Sequence, residues 1–270
     1  MKKQQKTNES LPNLKPPLKW AGGKRWLVPH LRPLWQGCGN PRLVEPFCGG
    51  LAVTLGLMPG EAFLNDSNEH LVNFLNRVKE GFVIDLPMEN DRDFYYRCRD
   101  QFNGLLKAGK QHSAEAAGLF YYLNRTGYNG LCRFNRKGFF NVPFGSYKKI
   151  NYRRDFRPYA EIFGGWSFQP GDFEEIELEK DDFIYADPPY DVEFTQYSEK
   201  AFRWEDQVRL GKWLSRHRGP VVLSNQATER IIKLYSGLGF KLLYLDGPRR
   251  ISCTGERTPA NEVLALKGLA

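Results

Sequence analysis

The tetrad Asp187-Pro188-Pro189-Tyr190 holds the side chains best placed to do chemistry in this 270-residue chain. It closes the run Asp182-Phe183-Ile184-Tyr185-Ala186, which reads as a short buried strand. A carboxylate at the end of such a strand stands in the crevice where open α/β sheets bind ligands. Two successive prolines fix φ and remove two N–H donors, so the local carbonyls have little freedom to swing away. The product is a rigid acceptor set, one carboxylate and a backbone C=O, beside an aromatic plane. A planar amino group fits it: two N–H bonds meet two acceptors while the ring behind them stacks on Tyr190. Asp-Pro-Pro also suits an exposed turn. The apolar strand before it and two ligand-binding patterns upstream favour the chemical role.

The first upstream pattern is Trp20-Ala21-Gly22-Gly23-Lys24. Its glycines permit close backbone approach, Lys24 could hold a carboxylate, and Trp20 could cover a ring. A helix is expected from Arg25 to Trp35, interrupted by Pro29 and Pro33 and therefore short or kinked. The second pattern is Leu43-Val44-Glu45-Pro46-Phe47-Cys48-Gly49-Gly50. It reads as a first parallel strand, a glycine turn, and a helix over 51–57. The G-x-G-x-x-G fingerprint that seats a pyrophosphate is absent. S-adenosylmethionine has no phosphate and needs only the close approach. Ala62-Phe63-Leu64 reads as a second strand ending at Asn65-Asp66. Asp66 stands 21 residues after Glu45, near the spacing at which an acid meets ribose hydroxyls; the competing role is the N-cap of a helix over 68–79.

These residues need a scaffold, and the rest of the chain supplies α/β signals. Trp166-Ser167-Phe168 predicts a third strand ending in Gly171-Asp172-Phe173. The acidic run Glu174 to Asp182 reads as a solvated face. Trp204, Val208, Leu210, Trp213 and Leu214 give a helical core stripe. A buried strand over 220–225, a helix over 228–238 and a closing antiparallel pair over 241–245 and 262–266 complete the pattern. Hydrophobic content of 41% suffices for a core. No apolar run approaches the ~20 residues of a membrane span. The polar segment 1–17 lacks a signal-peptide core and reads as a flexible tail. Five cysteines without a C-x-x-C pair and four scattered histidines suit a reducing cytoplasm and argue against a metal centre.

Charge is localised. Residues 91–154 hold thirteen Lys/Arg against four Asp/Glu, a net +9 in a chain of net +8, and no acid occurs from Ala116 to Arg154. A polyanion facing this segment explains that better than general solubility. Within it, Asn124 to Asn135 and Gly138 to Lys149 mix glycine turns, amides, aromatics and bases. Asn129-Gly130 signals a hairpin or turn, and amides and arginine pair bidentately with purine edges. Arg249-Arg250-Ile251-Ser252 could touch a phosphate backbone or form a plain loop.

Taken together, Trp20 to Lys24, Glu45 to Gly49, Asn124 to Lys149 and Asp187 to Tyr190 make the chain resemble the Dam family of DNA adenine-N6 methyltransferases (D12 class, DPPY type) from Leu18 to Lys267. The resemblance implies an α/β fold: a Rossmann-like S-adenosylmethionine-dependent methyltransferase sheet of seven strands, mixed, one of them antiparallel. It implies an inserted, mostly helical DNA-recognition domain carrying a β-hairpin, over 69–153, with 1–68 and 154–270 forming the catalytic domain. Trp20, Lys24, Phe47, Gly49, Asp66 and Asp187 would line the cofactor site, with Asp66 on the ribose and Phe173 or Asp172 on the cofactor adenine. Tyr128 and Asn129 would intrude beside a flipped base. Leu131, Arg133 and Pro143 would read bases, and Tyr147 and Lys148 would hold phosphates. Asp187, Pro188, Pro189 and Tyr190 would be catalytic. The implied partner is double-stranded DNA, with GATC as the family's site, and the implied state is a cytoplasmic, nucleoid-associated monomer without metal. Cytosine-N4, RNA or protein-amide methylation are rival substrates for a related tetrad, and a non-catalytic DNA-binding regulator is a rival of another class. Mass spectrometry of digested DNA and a cofactor titration separate them. An NAD-dependent oxidoreductase is disfavoured by the missing phosphate-cradling glycines.

Overall fold

The computed structural model describes residues 14–191, 202–247 and 260–269. Seven strands form one sheet in the order β3-β2-β1-β4-β5-β7-β6. They are β1 (Leu43–Glu45), β2 (Ala62–Asp66), β3 (Trp166–Pro170), β4 (Phe183–Ala186), β5 (Val221–Gln226), β6 (Lys241–Gly247) and β7 (Ala260–Lys267). The first five run parallel, and β7 lies antiparallel between β5 and β6. Strand β4 is buried at all four positions, as expected of a parallel strand covered on both faces. The order reverses between β1 and β4, so their carboxyl ends flank the crevice where such sheets bind ligands. Glu45 closes β1 there, and Asp187 follows β4.

Helix α1 (Val28–Gly37) carries Pro29 in its first turn and Pro33 inside it. The expected interruption does not end it. A one-turn 3-10 segment, Arg25–Leu27, leads in, and only the donor that Pro33 lacks is missing. The short α2 (Thr54–Leu57) follows the glycine turn. Helix α3 (Glu69–Lys79) is capped by Asn68, whose side chain accepts from His70 N and Leu71 N. Helices α4 (Arg92–Lys107) and α5 (Ala114–Thr126) are capped by Asp91 and Ser113, as their polar N-terminal signals suggest. Helix α6 (Arg157–Phe163) leads to β3, α7 (Trp204–Ser215) to β5, and α8 (Glu229–Gly237) to β6.

Two backbone pairs form a neck between α3 and α6: Ile84 N donates to Arg154 O and Phe156 N to Phe82 O. Helix α3 packs on both β3 and α5. One apolar cluster therefore runs from Leu31 and Leu64 through Phe74 to Tyr95, Phe102 and Phe120. The tail reading fails for 14–17. Pro17 is buried, Leu14 packs on the core, and Lys15 O accepts the Tyr159 hydroxyl at 2.7 Å.

Asn129-Gly130, read as a hairpin or a turn, is the turn. Tyr128–Gly130 forms a 3-10 turn with Asn129 at φ 52°. The antiparallel arms meet further on, where Asn135 N donates to Phe139 O and Asn141 N to Arg133 O; isolated bridges hold them, at Gly127 with Phe144 and Phe134 with Phe140. Finally, Asp182 is not solvated. It is 1% exposed and accepts from Arg42 Nε at 2.8 Å and Nη2 at 2.7 Å, tying β4's start to the chain before β1. Arg249 to Ser252 lie outside the described residues.

Candidate active site and nucleic-acid interface

The carboxyl end of β4 places Asp187 between two partners. Ser224, in β5, donates its hydroxyl to Asp187 Oδ1 at 2.8 Å. Lys24 Nζ stands 3.2 Å from Oδ2, with the two side chains 9% and 18% exposed. Burial raises the Asp187 pKa, while the Lys24 charge and then the Ser224 hydroxyl pull it back down. Lys24 also donates to Gly22 O at 3.1 Å and lies 4.5 Å from the centroid of the Tyr190 ring. The expectation that Lys24 awaits a ligand carboxylate is thus modified: here it pairs with Asp187.

The rest of the tetrad is equally constrained. Pro188 is buried and Pro189 exposed. Gln207, 1% exposed on α7, donates to Pro189 O at 2.8 Å. Its Oε1 accepts from Asn225 Nδ2 at 3.0 Å, and Asn225 Oδ1 accepts Asp191 N at 3.3 Å. The Tyr190 hydroxyl donates to Glu262 Oε2 at 2.8 Å. Burial and the nearby Asp187 and Glu262 carboxyls push the Tyr190 pKa up, so its phenol stays protonated.

The glycine turn after β1 forms the neighbouring wall. Gly49 has φ +46°, and a Cβ there would stand 2.8 Å from Trp20 Nε1; the indole of Trp20 thus lies directly on the turn. Gly49 N donates to Asp66 Oδ2 at 3.0 Å, and Asn68 N to Asp66 Oδ1 at 2.9 Å. Burial raises the Asp66 pKa against these two donors. Asp66 therefore clips the end of β2 to the glycine turn, and Asn68 is the cap of α3. Phe47 packs on Phe173 at 5.8 Å between ring centroids and on Phe202 at 5.5 Å. Phe173 is 2% exposed, and Asp172 pairs with Arg209 at 2.7 Å.

Glu45 is 3% exposed and accepts the Thr54 hydroxyl. Burial, opposed by that hydrogen bond and aided by the Asp187 charge, pushes its carboxyl up to about 8. Burial likewise raises Glu262, against Lys24 and Tyr190. Two carboxyl groups, Asp187 and Glu262, thus share the single ammonium of Lys24, which favours a further positive charge. The residues fit S-adenosylmethionine on this ground and on two others: the glycine turn lets a ligand approach the backbone closely, and Asn65 Oδ1 is buried without a hydrogen-bond partner. Among the described residues, no three His, Cys, Asp or Glu side chains gather as a metal site, and no helix is long and apolar enough to cross a membrane.

The expected DNA-contacting residues form a separate group after α5. Tyr128 is 50% exposed and Leu131 38%; Asn129, Arg133, Pro143 and Lys148 are exposed too. Arg133 Nε donates to Asn141 Oδ1 at 2.9 Å, which orients the guanidinium. Pro143 O accepts Tyr128 N at 2.9 Å. The Tyr147 hydroxyl donates to Gly127 O at 3.0 Å and Lys19 Nζ sits 3.7 Å over its ring. It braces the loop. Asn124 anchors this loop to the Trp20 segment, accepting Lys19 N at 2.9 Å and donating to Lys19 O at 2.7 Å.

Sequence reasoning missed Ser224, Asn225, Gln207 and Glu262. A signal existed for two of them: Ser224 and Asn225 are polar residues closing an otherwise apolar parallel strand, at the end where ligands bind.

Strand order, a carboxylate and aromatic pair beyond β4, and a glycine turn beyond β1 define an α/β methyltransferase with a Rossmann-like sheet. The chain belongs to the D12 class N6 adenine-specific DNA methyltransferases, whose family model matches residues 20–251. The Retron Ec67 DNA adenine methylase of Escherichia coli is 34% identical, over 93% of this chain and 90% of its own length. The DNA adenine methylase of Escherichia coli K12 is 36% identical, over 92% and 94%. The type II methyltransferase M1.LlaDCHI of Lactococcus lactis subsp. cremoris is 35% identical, over 83% and 85%. The protein is a DNA adenine methyltransferase.

Proposed function

We propose that this enzyme transfers a methyl group from S-adenosylmethionine to N6 of an adenine flipped out of duplex DNA, within GATC. The observation that carries the reading is the Asp187 carboxylate, fixed at the end of β4 by Lys24 and Ser224 beside two prolines. The cofactor supplies an electrophilic methyl on a sulfonium. Trp20, Lys24, Phe47, Gly49, Asp66, Asp172, Phe173 and Asp187 would line its site, with Asp66 toward the ribose and Asp172 or Phe173 toward the adenine. The carboxyl excess around Lys24 tolerates its charge.

The target amine is a poor nucleophile because its lone pair is delocalised into the ring. Extruding the base costs about a few kcal/mol. Asp187 and the Pro188 carbonyl each accept one N6–H, which favours a pyramidal nitrogen and frees the lone pair. Both acceptors stabilise the positive charge that develops on nitrogen, so they act more strongly in the transition state than in the ground state. Tyr190 stacks on the extruded ring. Tyr128 and Asn129 fill beside it, Leu131, Arg133 and Pro143 read neighbouring bases, and Tyr147 and Lys148 meet phosphates. The enzyme works as a monomer on nucleoid DNA in the cytoplasm, with 69–153 as its recognition region.

Expression in cells lacking adenine methylation tests this. N6-methyladenine should accumulate in plasmid DNA, confined to GATC on sequencing of methylated bases. Methylation of cytosine, of RNA only, or of adenines in another sequence would contradict it.

A further inference from the structure

Glu262 lies on β7, in a segment the sequence reads only as a closing strand. It is 9% exposed, and its Oε2 accepts the Tyr190 hydroxyl at 2.8 Å. A buried carboxylate is costly unless paired and hydrogen-bonded. The nearby ammonium, Lys24, already stands 3.2 Å from Asp187, so Glu262 shares that cation rather than owning one. Room for the carboxylate comes from Gly247, at the end of β6: a Cβ there would stand 2.7 Å from Glu262 Oε1 and 2.8 Å from Cγ. Lys24 Nζ covers one face of the Tyr190 ring, 4.5 Å from its centroid. The ring is thus held at its hydroxyl by Glu262 and on one face by Lys24. A ring fixed in advance loses little conformational freedom when a base stacks on it.

We propose that Glu262 is a positioning residue for methyl transfer, fixing through the Tyr190 hydroxyl the aromatic plane against which the target adenine stacks. The proposal rests on the reading of Tyr190 as the stacking residue. A purely structural hydrogen bond between the tetrad and β7 would change the melting temperature but not the environment of a bound base.

The test uses the full chain and a duplex carrying 2-aminopurine, which is quenched when stacked, at the target adenine. In Glu262→Ala, kcat should fall about tenfold, the loss of one charge-assisted hydrogen bond. DNA affinity should hold, and the fluorescence of the bound 2-aminopurine should rise. Glu262→Gln keeps an acceptor oxygen and should restore most of both. Tyr190→Phe should match Glu262→Ala, and combining the two should cost little more than either. Wild-type kcat and fluorescence in Glu262→Ala, or equal impairment in Glu262→Gln and Glu262→Ala, would overturn the proposal. If Glu262→Ala does not fold, wild-type behaviour of Tyr190→Phe overturns it instead. Tyr190→Ala separates the two layers: normal turnover there removes the stacking reading itself. Impairment there with normal Tyr190→Phe and Glu262→Ala removes only the role of Glu262.

Discussion

Replacing Ser224 with alanine probes how the Asp187 carboxylate is kept ionised. The hydroxyl donates to Oδ1 at 2.8 Å and lies 3.2 Å from the Tyr185 hydroxyl in a buried strand. Burial raises the Asp187 pKa, and Lys24 and Ser224 oppose it. Removing Ser224 therefore raises the pKa further with Lys24 still in place. Only the ionised carboxylate meets the positive charge developing on nitrogen with a full negative charge, so the acidic limb of the kcat/KM profile moves to higher pH. A hydrogen bond to a charged group contributes about 1.5–3 kcal/mol, or about ten- to a hundredfold in kcat/KM at fixed pH on that limb. On the plateau at higher pH, variant and wild type converge. The assay is methyl transfer to a short duplex across the range in which the free enzyme's base titrates. Tyr185 loses a buried partner, which costs about 1–3 kcal/mol of stability, so both proteins are compared well below their melting midpoints. A loss of equal size at every pH, or none on the acidic limb, would refute the reasoning.

Three further outcomes follow from the same geometry. Glu45, pushed up to about 8 chiefly by burial, contributes stability that is complete below the unfolded carboxylate range and lost as pH rises through that value; denaturant melts should show this loss in the wild type and a smaller one in Glu45→Gln, where Asp66, Asp187 and Glu262 still titrate above their usual range. Gly49→Ala must place a Cβ 2.8 Å from Trp20 Nε1 at φ +46°; the backbone strain alone is roughly 1–2 kcal/mol, and cofactor affinity measured by calorimetry should fall at least as far as that implies. Gln207→Leu removes the donor to Pro189 O and one of the two acceptors of Asn225 Nδ2, so stability should drop by about 1–3 kcal/mol and kcat should fall while DNA affinity, measured by anisotropy, is kept.

The sheet was legible because its parallel strands are short apolar runs ending in chemistry: Leu43 to Glu45, Ala62 to Asp66 and Phe183 to Asp187 each announce a crevice residue. Asp187, Lys24, Tyr190, Trp20 and Gly49 were readable by type and local spacing. What supports them was not. Ser224, Gln207 and Glu262 reach the tetrad from β5, α7 and β7, at sequence separations of 37, 18 and 72, and no local periodicity encodes such a meeting. Asn129-Gly130 left two readings open because its turn chemistry suits a 3-10 turn after α5 as well as a hairpin. Asp182 misled because an acidic neighbourhood masked one residue whose partner, Arg42, lies 140 positions away.

The most direct measurement is the single-turnover rate of methyl transfer by Asp187→Asn, taken alongside its affinities for cofactor and DNA. The amide keeps the shape but loses the charge that meets the nascent cation on nitrogen. The account predicts a rate lower by about a hundred- to a thousandfold with DNA still bound. A rate close to that of the wild type, with binding intact, would contradict it.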